Sequence, residues 1–137
     1  MSQNTSLTLA DAQGTPVIHT FPPIGTQNGI ASYRDNDSSV TIGLRPVITA
    51  SLRQGQLGQA NRAKRVKRRV ILKIAVPFQP ATVDGVTPAV DTCECEIRLS
   101  LPVDAPAISI DDVVKYAGSL VYESPIAEMI TEGEFPY

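Results

Sequence analysis

The sequence RRVILKIAV, residues 68–76, alternates between two kinds of side chain and decides the fold prediction. Its apolar positions share one face of an extended chain: Val70, Leu72, Ile74 and Val76. The positions between them include Arg69 and Lys73. Because successive side chains of a strand point to opposite faces, this period of two predicts a strand over residues 66–76 with one buried and one basic face.

Two other stretches, residues 47–53 and residues 90–101, alternate in the same way. Their apolar positions are Ile48, Ala50 and Leu52 in the first, and Cys93, Cys95, Ile97, Leu99 and Leu101 in the second. A short strand over residues 30–33 follows a turn at Asn28-Gly29, where a positive φ costs little. These strands predict an antiparallel sheet within residues 28–101 that has one covered and one solvated face.

The cysteines and the histidine of the chain do not predict a chemical site. Cys93 and Cys95 lie on an apolar face, so we expect buried free thiols that act as small core residues, with a disulfide between chains as the alternative. Their spacing is not that of a zinc or redox motif, and the single histidine, His19, is distant in sequence. We expect no metal, no cofactor and no catalytic Cys/His pair, and we interpret His19 as an ordinary strand residue.

The two ends of the chain differ in pattern. Residues 7–9 and 17–21 flank a turn-forming stretch, which predicts a hairpin within residues 1–21 that ends at Pro22-Pro23. The C-terminal part has a helical period instead.

Two C-terminal helices are predicted within residues 109–133. Ser109 with Asp112 predicts a capped start for the first helix. Ser124-Pro125 predicts the start of the second, which stops at Gly133. Because helices this short cannot form a core of their own, they must cover a sheet.

Length and composition predict one globular domain over residues 1–137, with 42% apolar and 19% charged residues. The sequence has no internal repeat and no linker long enough to divide it. The first residues lack the basic and apolar regions of a secretory signal, which predicts a chain that is not exported. The longest apolar run is far shorter than the ~20 residues of a membrane-spanning helix, so no membrane partner is expected.

Charge is distributed unevenly along the chain, although the net charge is only −2. Residues 34–73 hold ten of the twelve basic side chains and two acids, whereas residues 74–137 hold eleven acids and two basic side chains. Seven cations lie within twelve residues: Arg62, Lys64, Arg65, Lys67, Arg68, Arg69 and Lys73. This cluster favours contact with a nucleic acid, because each neutralised phosphate releases counterions. A solvated hairpin tip that protects a sheet edge is the alternative.

The small number of helices predicts a dimer. Two short helices give too little cover for a sheet of about five strands, unless a second copy contributes its own helices. A symmetric dimer with a continuous sheet supplies that cover and removes an exposed edge. The residues expected at this interface are the apolar positions of the helices: Val113, Tyr116, Ala117, Leu120, Val121, Ile126, Met129 and Ile130. The uncovered face then presents Arg53, Arg69 and Lys73 to RNA or DNA.

The order of these elements and several local stretches resemble the coat proteins of single-stranded RNA bacteriophages, the leviviruses. The matching stretches cover residues 28–32, 47–54, 68–77 and 124–137. The resemblance implies an α+β fold with an N-terminal β-hairpin, a five-stranded antiparallel sheet and two C-terminal helices that interlock two subunits. It also implies a structural capsid protein whose dimers assemble into an icosahedral shell of the virion in the cytoplasm of a bacterial host.

The resemblance further implies that the inner sheet face binds single-stranded RNA, including an RNA hairpin whose capture represses translation. Carried over by position, that face uses Thr49, Ser51, Arg53, Arg69, Ile71, Lys73, Glu94 and Glu96. A loop between the second and third long strands is implied to line the symmetry axes of the shell. It contains Pro77, Pro80, Asp84, Gly85 and Pro88.

Two features depart from the family pattern. Glu94 stands where relatives stack a tyrosine on an RNA base, and a carboxylate repels phosphate, which counts against a specific RNA hairpin. The connection over residues 54–67 is longer than in those relatives and carries much of the basic charge. A dimeric cellular RNA-binding module that forms no shell is the alternative function. No residue pattern favours an enzyme.

Overall fold

The computed structural model describes residues 5–37, 39–54 and 67–133. The strands are β1 (Leu7–Ala10), β2 (Ile18–Phe21), β3 (Pro23–Gln27), β4 (Ile30–Arg34), β5 (Val47–Gln54), β6 (Lys67–Phe78) and β7 (Asp91–Pro102). A short 3₁₀ helix covers Ile42–Leu44, and the α-helices are α1 (Ala107–Leu120) and α2 (Ser124–Glu132). The predicted hairpin, sheet and two helices are confirmed.

The N-terminal hairpin pairs β1 with β2 in antiparallel register, from Leu7 opposite Phe21 to Ala10 opposite Ile18. Its loop is closed by Asp11, whose Oδ1 accepts hydrogen bonds from the backbone N–H groups of Gln13 and Val17. A carboxylate that caps a loop in this way satisfies donors that would otherwise need water.

The main sheet has the strand order β3-β4-β5-β6-β7, and every neighbouring pair is antiparallel. The sheet predicted from the sequence begins at residue 28 and lacks β3, because Pro22-Pro23 predicts an end to the extended chain. Pro23 instead opens an edge strand, where a missing N–H is tolerated. The predicted turn at Asn28-Gly29 joins β3 to β4, with positive φ values of 52° and 76°.

The helix starts differ from the prediction. The proposed cap at Ser109 is wrong, because α1 begins two residues earlier after Pro106, and the backbone N–H of Ser109 already donates to the oxygen of Pro106 at 3.0 Å. Pro106 occupies the N-cap position with an extended backbone, φ −58° and ψ 142°, and its fixed φ is compatible with this position. In α2 the cap position is Glu123 rather than Ser124, whereas Gly133 ends the helix with a left-handed φ of 73°, as predicted.

The apolar face of the sheet, defined by Ile48, Leu72, Ile74, Cys95 and Ile97, has little cover within the chain. No residue of α1 or α2 is buried. In the described ranges only three apolar side chains are buried, namely Phe21, Ile48 and Leu101. The prediction that the two cysteines are buried is therefore wrong for the single chain, since Cys93 and Cys95 are exposed on β7.

Candidate nucleic-acid interface

The strand register places on one face the sheet residues that the family resemblance assigns to RNA binding, and we name this the polar face. Across β5, β6 and β7 the register forms rows, such as Thr49, Lys73 and Glu96, or Arg53, Arg69 and Ser100. Residues in one row share a face, and residues two positions apart along a strand share it too. The polar face thus carries Thr49, Ser51, Lys67, Arg53, Arg69, Ile71, Lys73, Glu94, Glu96 and Arg98.

The middle of the polar face is close to electrically neutral. Glu96 receives a hydrogen bond from Nε of Arg98, and its Oε2 lies 3.9 Å from Nζ of Lys73. Glu94 lies opposite Ala75 in the same region. Arg98 is not among the predicted site residues, although its spacing of two from Glu96 on one strand places it on the same face.

The end of the polar face near Gln54 is positively charged. Arg53 lies directly opposite Arg69, and Lys67 is two residues from Arg69 on the same face. Like charges placed directly opposite each other destabilise a strand pair. Among the described residues neither arginine has a carboxylate within ion-pair distance. Within the described part of the chain, this end therefore offers cations without an anionic partner, which suits binding of an added anion.

Arg68 does not belong to this charged end. It lies opposite Gln54 and the buried Leu101, on the apolar side of the sheet. The basic cluster of the sequence is thus divided by strand alternation between two faces. Arg62, Lys64 and Arg65 lie outside the described residues.

A shallow concavity of about 110 Å³ lies on the sheet beside Thr49, Lys73 and Glu94. Enclosed ligand pockets usually measure ~300–1,000 Å³, so this one is too small to enclose a nucleotide. The described part of the chain contains no group of residues suited to a metal ion. None of its helices has the length and apolar character needed to cross a bilayer.

The loop between β6 and β7 is an ordered hairpin. Val83 bridges to Val86, and Asp84 and Gly85 form the tip with φ values of 50° and 77°. Nε2 of Gln79 donates to the oxygen of Pro88 at 2.6 Å. Of the residues predicted for this loop, Pro80, Asp84, Gly85 and Pro88 lie in it, whereas Pro77 is part of β6.

The residues predicted for a dimer interface lie on, or directly after, helices that have no buried residue in the single chain. On α1, Val113, Tyr116, Ala117 and Leu120 are exposed, and Tyr116 has 72% of its surface accessible. Val121, which directly follows α1, is also exposed. On α2, Ile126 and Met129 are half-buried and Ile130 is exposed. The single chain leaves these apolar side chains without a core.

The comparisons with known proteins agree with this architecture. The virus-like particle of bacteriophage ESE058 matches with a TM-score of 0.80 and 24% identity, over 99% of this chain and 100% of that chain. The capsid protein of bacteriophage GA matches with a TM-score of 0.65 and 26% identity, over 96% and 95%. An unassembled bacteriophage coat protein dimer, described as RNA-binding, matches with a TM-score of 0.64 and 25% identity, over 98% of both chains.

No curated protein sequence matches the chain. The family model of the levivirus coat protein, by contrast, matches residues 2–137, which is nearly the whole length. The chain is thus a member of the levivirus coat protein family.

Proposed function

We propose that this capsid protein dimerises, assembles into an icosahedral shell and packages single-stranded RNA. The observation that carries the proposal is the opposed pair Arg53 and Arg69, which lacks a carboxylate partner in the described residues. A polyanion held along the polar face would neutralise both guanidinium groups. Arginine suits this contact because its planar fork binds phosphate oxygens.

Dimerisation is supported by the apolar face of the sheet and by the edge strand. β7 is a long strand at the end of the sheet, and no other described strand pairs with its outer edge, which is therefore suited to pairing with a second copy. Two copies of β7 in antiparallel register would make one continuous sheet. The helices of the partner would then cover Ile97 and Cys95, which are exposed in the single chain.

The charge pattern indicates how the RNA would be held. The charged end around Arg53 would contact the phosphate backbone, whereas Glu94 and Glu96 would keep phosphates away from the middle of the sheet. Glu94 also offers no aromatic ring for base stacking. We infer that contacts with the RNA backbone dominate. Repression of translation through an RNA hairpin is a further proposed role, and expression of the protein beside a reporter gene that carries the hairpin tests it.

Sedimentation of the protein expressed alone tests the proposal, followed at 260 and 280 nm before and after nuclease treatment. The chain has no tryptophan and four tyrosines, so packaged RNA would dominate the absorbance. We expect a large uniform particle that contains nuclease-protected RNA. A dimer-sized species that gains and loses RNA with salt would contradict shell formation and support the cellular RNA-binding module.

Replacement of Glu96 by Gln should strengthen RNA binding by dissociated dimers. The change frees Lys73 and Arg98 for phosphate, and each additional phosphate that they neutralise steepens the salt dependence by about 0.7 in log–log slope for a single strand. One such phosphate gives roughly a fivefold higher affinity at 0.1 M salt on that basis. Filter binding of a homopolymeric RNA at a series of salt concentrations measures both the affinity and the slope.

The matched control for this change is Asp111→Asn, which removes the same charge from the exposed surface of α1. We expect Asp111→Asn to leave the slope unchanged. Equal affinities for the Glu96→Gln variant and the unmodified protein would show that Glu96 does not weaken RNA binding to the polar face.

A further inference from the structure

The single histidine lies at the centre of a polar cluster away from the polar face. In His19, Nε2 lies 3.0 Å from Oδ2 of Asp11, and Nδ1 lies 2.7 Å from Oδ2 of Asp35. A neutral imidazole donates from only one nitrogen, and an ionised carboxylate only accepts. Both short contacts are therefore hydrogen bonds only when the ring is an imidazolium and donates to both carboxylates.

These contacts join two parts of the fold. Asp11 closes the loop between β1 and β2, whereas Asp35 follows β4 of the main sheet. The backbone N–H of Asn36 also donates to the oxygen of Thr20 in β2, at 3.1 Å. His19 thus lies where the N-terminal hairpin meets the sheet.

Asp35 makes this position sensitive to charge, because it is the one buried charged or polar residue of the described chain, with 4% exposure. Its Oδ1 accepts from the backbone N–H of Asp37, and its own backbone N–H donates to the oxygen of Pro46 at 3.0 Å. A buried carboxylate that loses its cationic partner is strongly unfavourable. Loss of the proton from His19 would leave Asp35 in this state.

The other charged groups around His19 do not replace its charge. Asp37 adds a third carboxylate, held by the hydroxyl and backbone N–H of Ser39. Arg45 acts on Asp37, but its Nε donates to the backbone oxygen of Val40. Arg34 ends β4, and its Nε is buried without a hydrogen-bond partner among the described residues.

We propose that His19 is a protonation-dependent latch that holds the N-terminal hairpin on the main sheet. In the protonated state the ring bridges Asp11 and Asp35, and the hairpin is docked. In the neutral state one of the two bonds is lost and the hairpin separates more readily. His19 takes no part in the strand pairings of the main sheet, which run from β3 at one edge to β7 at the other, so the main sheet stays formed.

The expected pH dependence follows from the same contacts. The hydrogen bond with Asp11 raises the pKa of His19 above 6.5, with a further contribution from Asp35. A raised pKa in the folded state means that the stabilisation is complete below the unfolded value and is lost as the pH rises through the folded value. Hydrogen bonds from Val17 and His19 lower the pKa of Asp11, so its contribution is present above 3.8 and is lost as the pH falls through the lowered value.

Deuterium exchange of the His19 ring, read by mass spectrometry on the full chain, gives its titration midpoint without interference, since no other histidine is present. We expect a midpoint above 6.5. The backbone N–H of Asn36 reports on the junction, because it donates to Thr20 in the hairpin, and its protection factor should fall at least tenfold as the pH passes that midpoint. A midpoint at or below 6.5, or protection that does not follow it, would overturn the proposal.

Two variants separate the latch from a merely structural role. His19→Gln keeps a hydrogen-bonding side chain but takes up no proton, so its Asn36 protection should be low and independent of pH between 6 and 9. Asp11→Asn keeps His19 and should lower its midpoint, because the partner that contributes most is neutralised. A His19→Gln profile that matches that of the unmodified chain, or an unchanged midpoint in Asp11→Asn, would refute the latch.

Discussion

Replacement of Leu120 by Asp should abolish particle formation. Leu120 lies in the last turn of α1 with 53% of its surface exposed, so it contributes little to the core of its own chain. At a symmetric interface each copy of Leu120 can bury only the half that is exposed in the single chain, so each contributes about 0.8–1.6 kcal/mol, half of the value for full burial. Two copies give about 1.6–3.2 kcal/mol, and burial of two unpaired aspartates adds a further penalty, which together correspond to roughly a 100-fold weaker dimer or more. Sedimentation should show a monomer or an aggregate in place of particles.

Two controls make this result specific to the apolar positions of α1. Lys115→Gln shifts the net charge by the same one unit on the same helix and should leave particles intact. Leu120→Met nearly conserves volume and apolar character and should also assemble. Normal particles from Leu120→Asp would show that this part of α1 does not contact a partner.

The strands that the sequence predicted correctly are those whose pattern is local. Alternation around Ile48 and Leu72 identified β5 and β6, because one face of each strand must be apolar. β3 was missed because its pairing with β4 depends on a neighbour, and a proline is acceptable there only because β3 is an edge strand. The exposure of Cys95 was missed for a similar reason, since cover for that face is not supplied by the chain itself.

The composition of the polar face was predictable, but its charge balance was not. The alternation of polar and apolar side chains along β5, β6 and β7 is enough to place Thr49, Lys73 and Glu96 on one face. The pairing of Glu96 with Lys73 depends on the register between two strands, which no local pattern encodes. Sequence proximity was misleading for Arg68, which is adjacent to Arg69 but lies on the opposite face. His19 and Asp35 are sixteen residues apart, and their contact had no local signal.

Replacement of both Arg53 and Arg69 by Gln should remove most of the salt-sensitive RNA affinity of the sheet. Each guanidinium that neutralises a phosphate contributes about 0.7 to the log–log salt slope on a single strand. Two contacts therefore account for about 1.4 decades between 1 M and 0.1 M salt, or roughly a 25-fold loss at 0.1 M. Binding of a homopolymeric RNA to dissociated dimers, titrated with salt, measures both quantities, and particles should hold less RNA.

The control for this pair is Arg68→Gln, which removes a cation from the same sequence cluster but from the other side of the sheet. Arg68→Gln should have the same log–log salt slope of RNA affinity as the unmodified protein. The RNA affinity of the double variant should approach that of the unmodified protein at 1 M salt, where counterion release no longer favours binding. A larger loss for Arg68→Gln than for the double variant would place the RNA on the opposite face. A uniform loss at every salt concentration would instead indicate damage to the fold, because phosphate contacts alone weaken as salt rises.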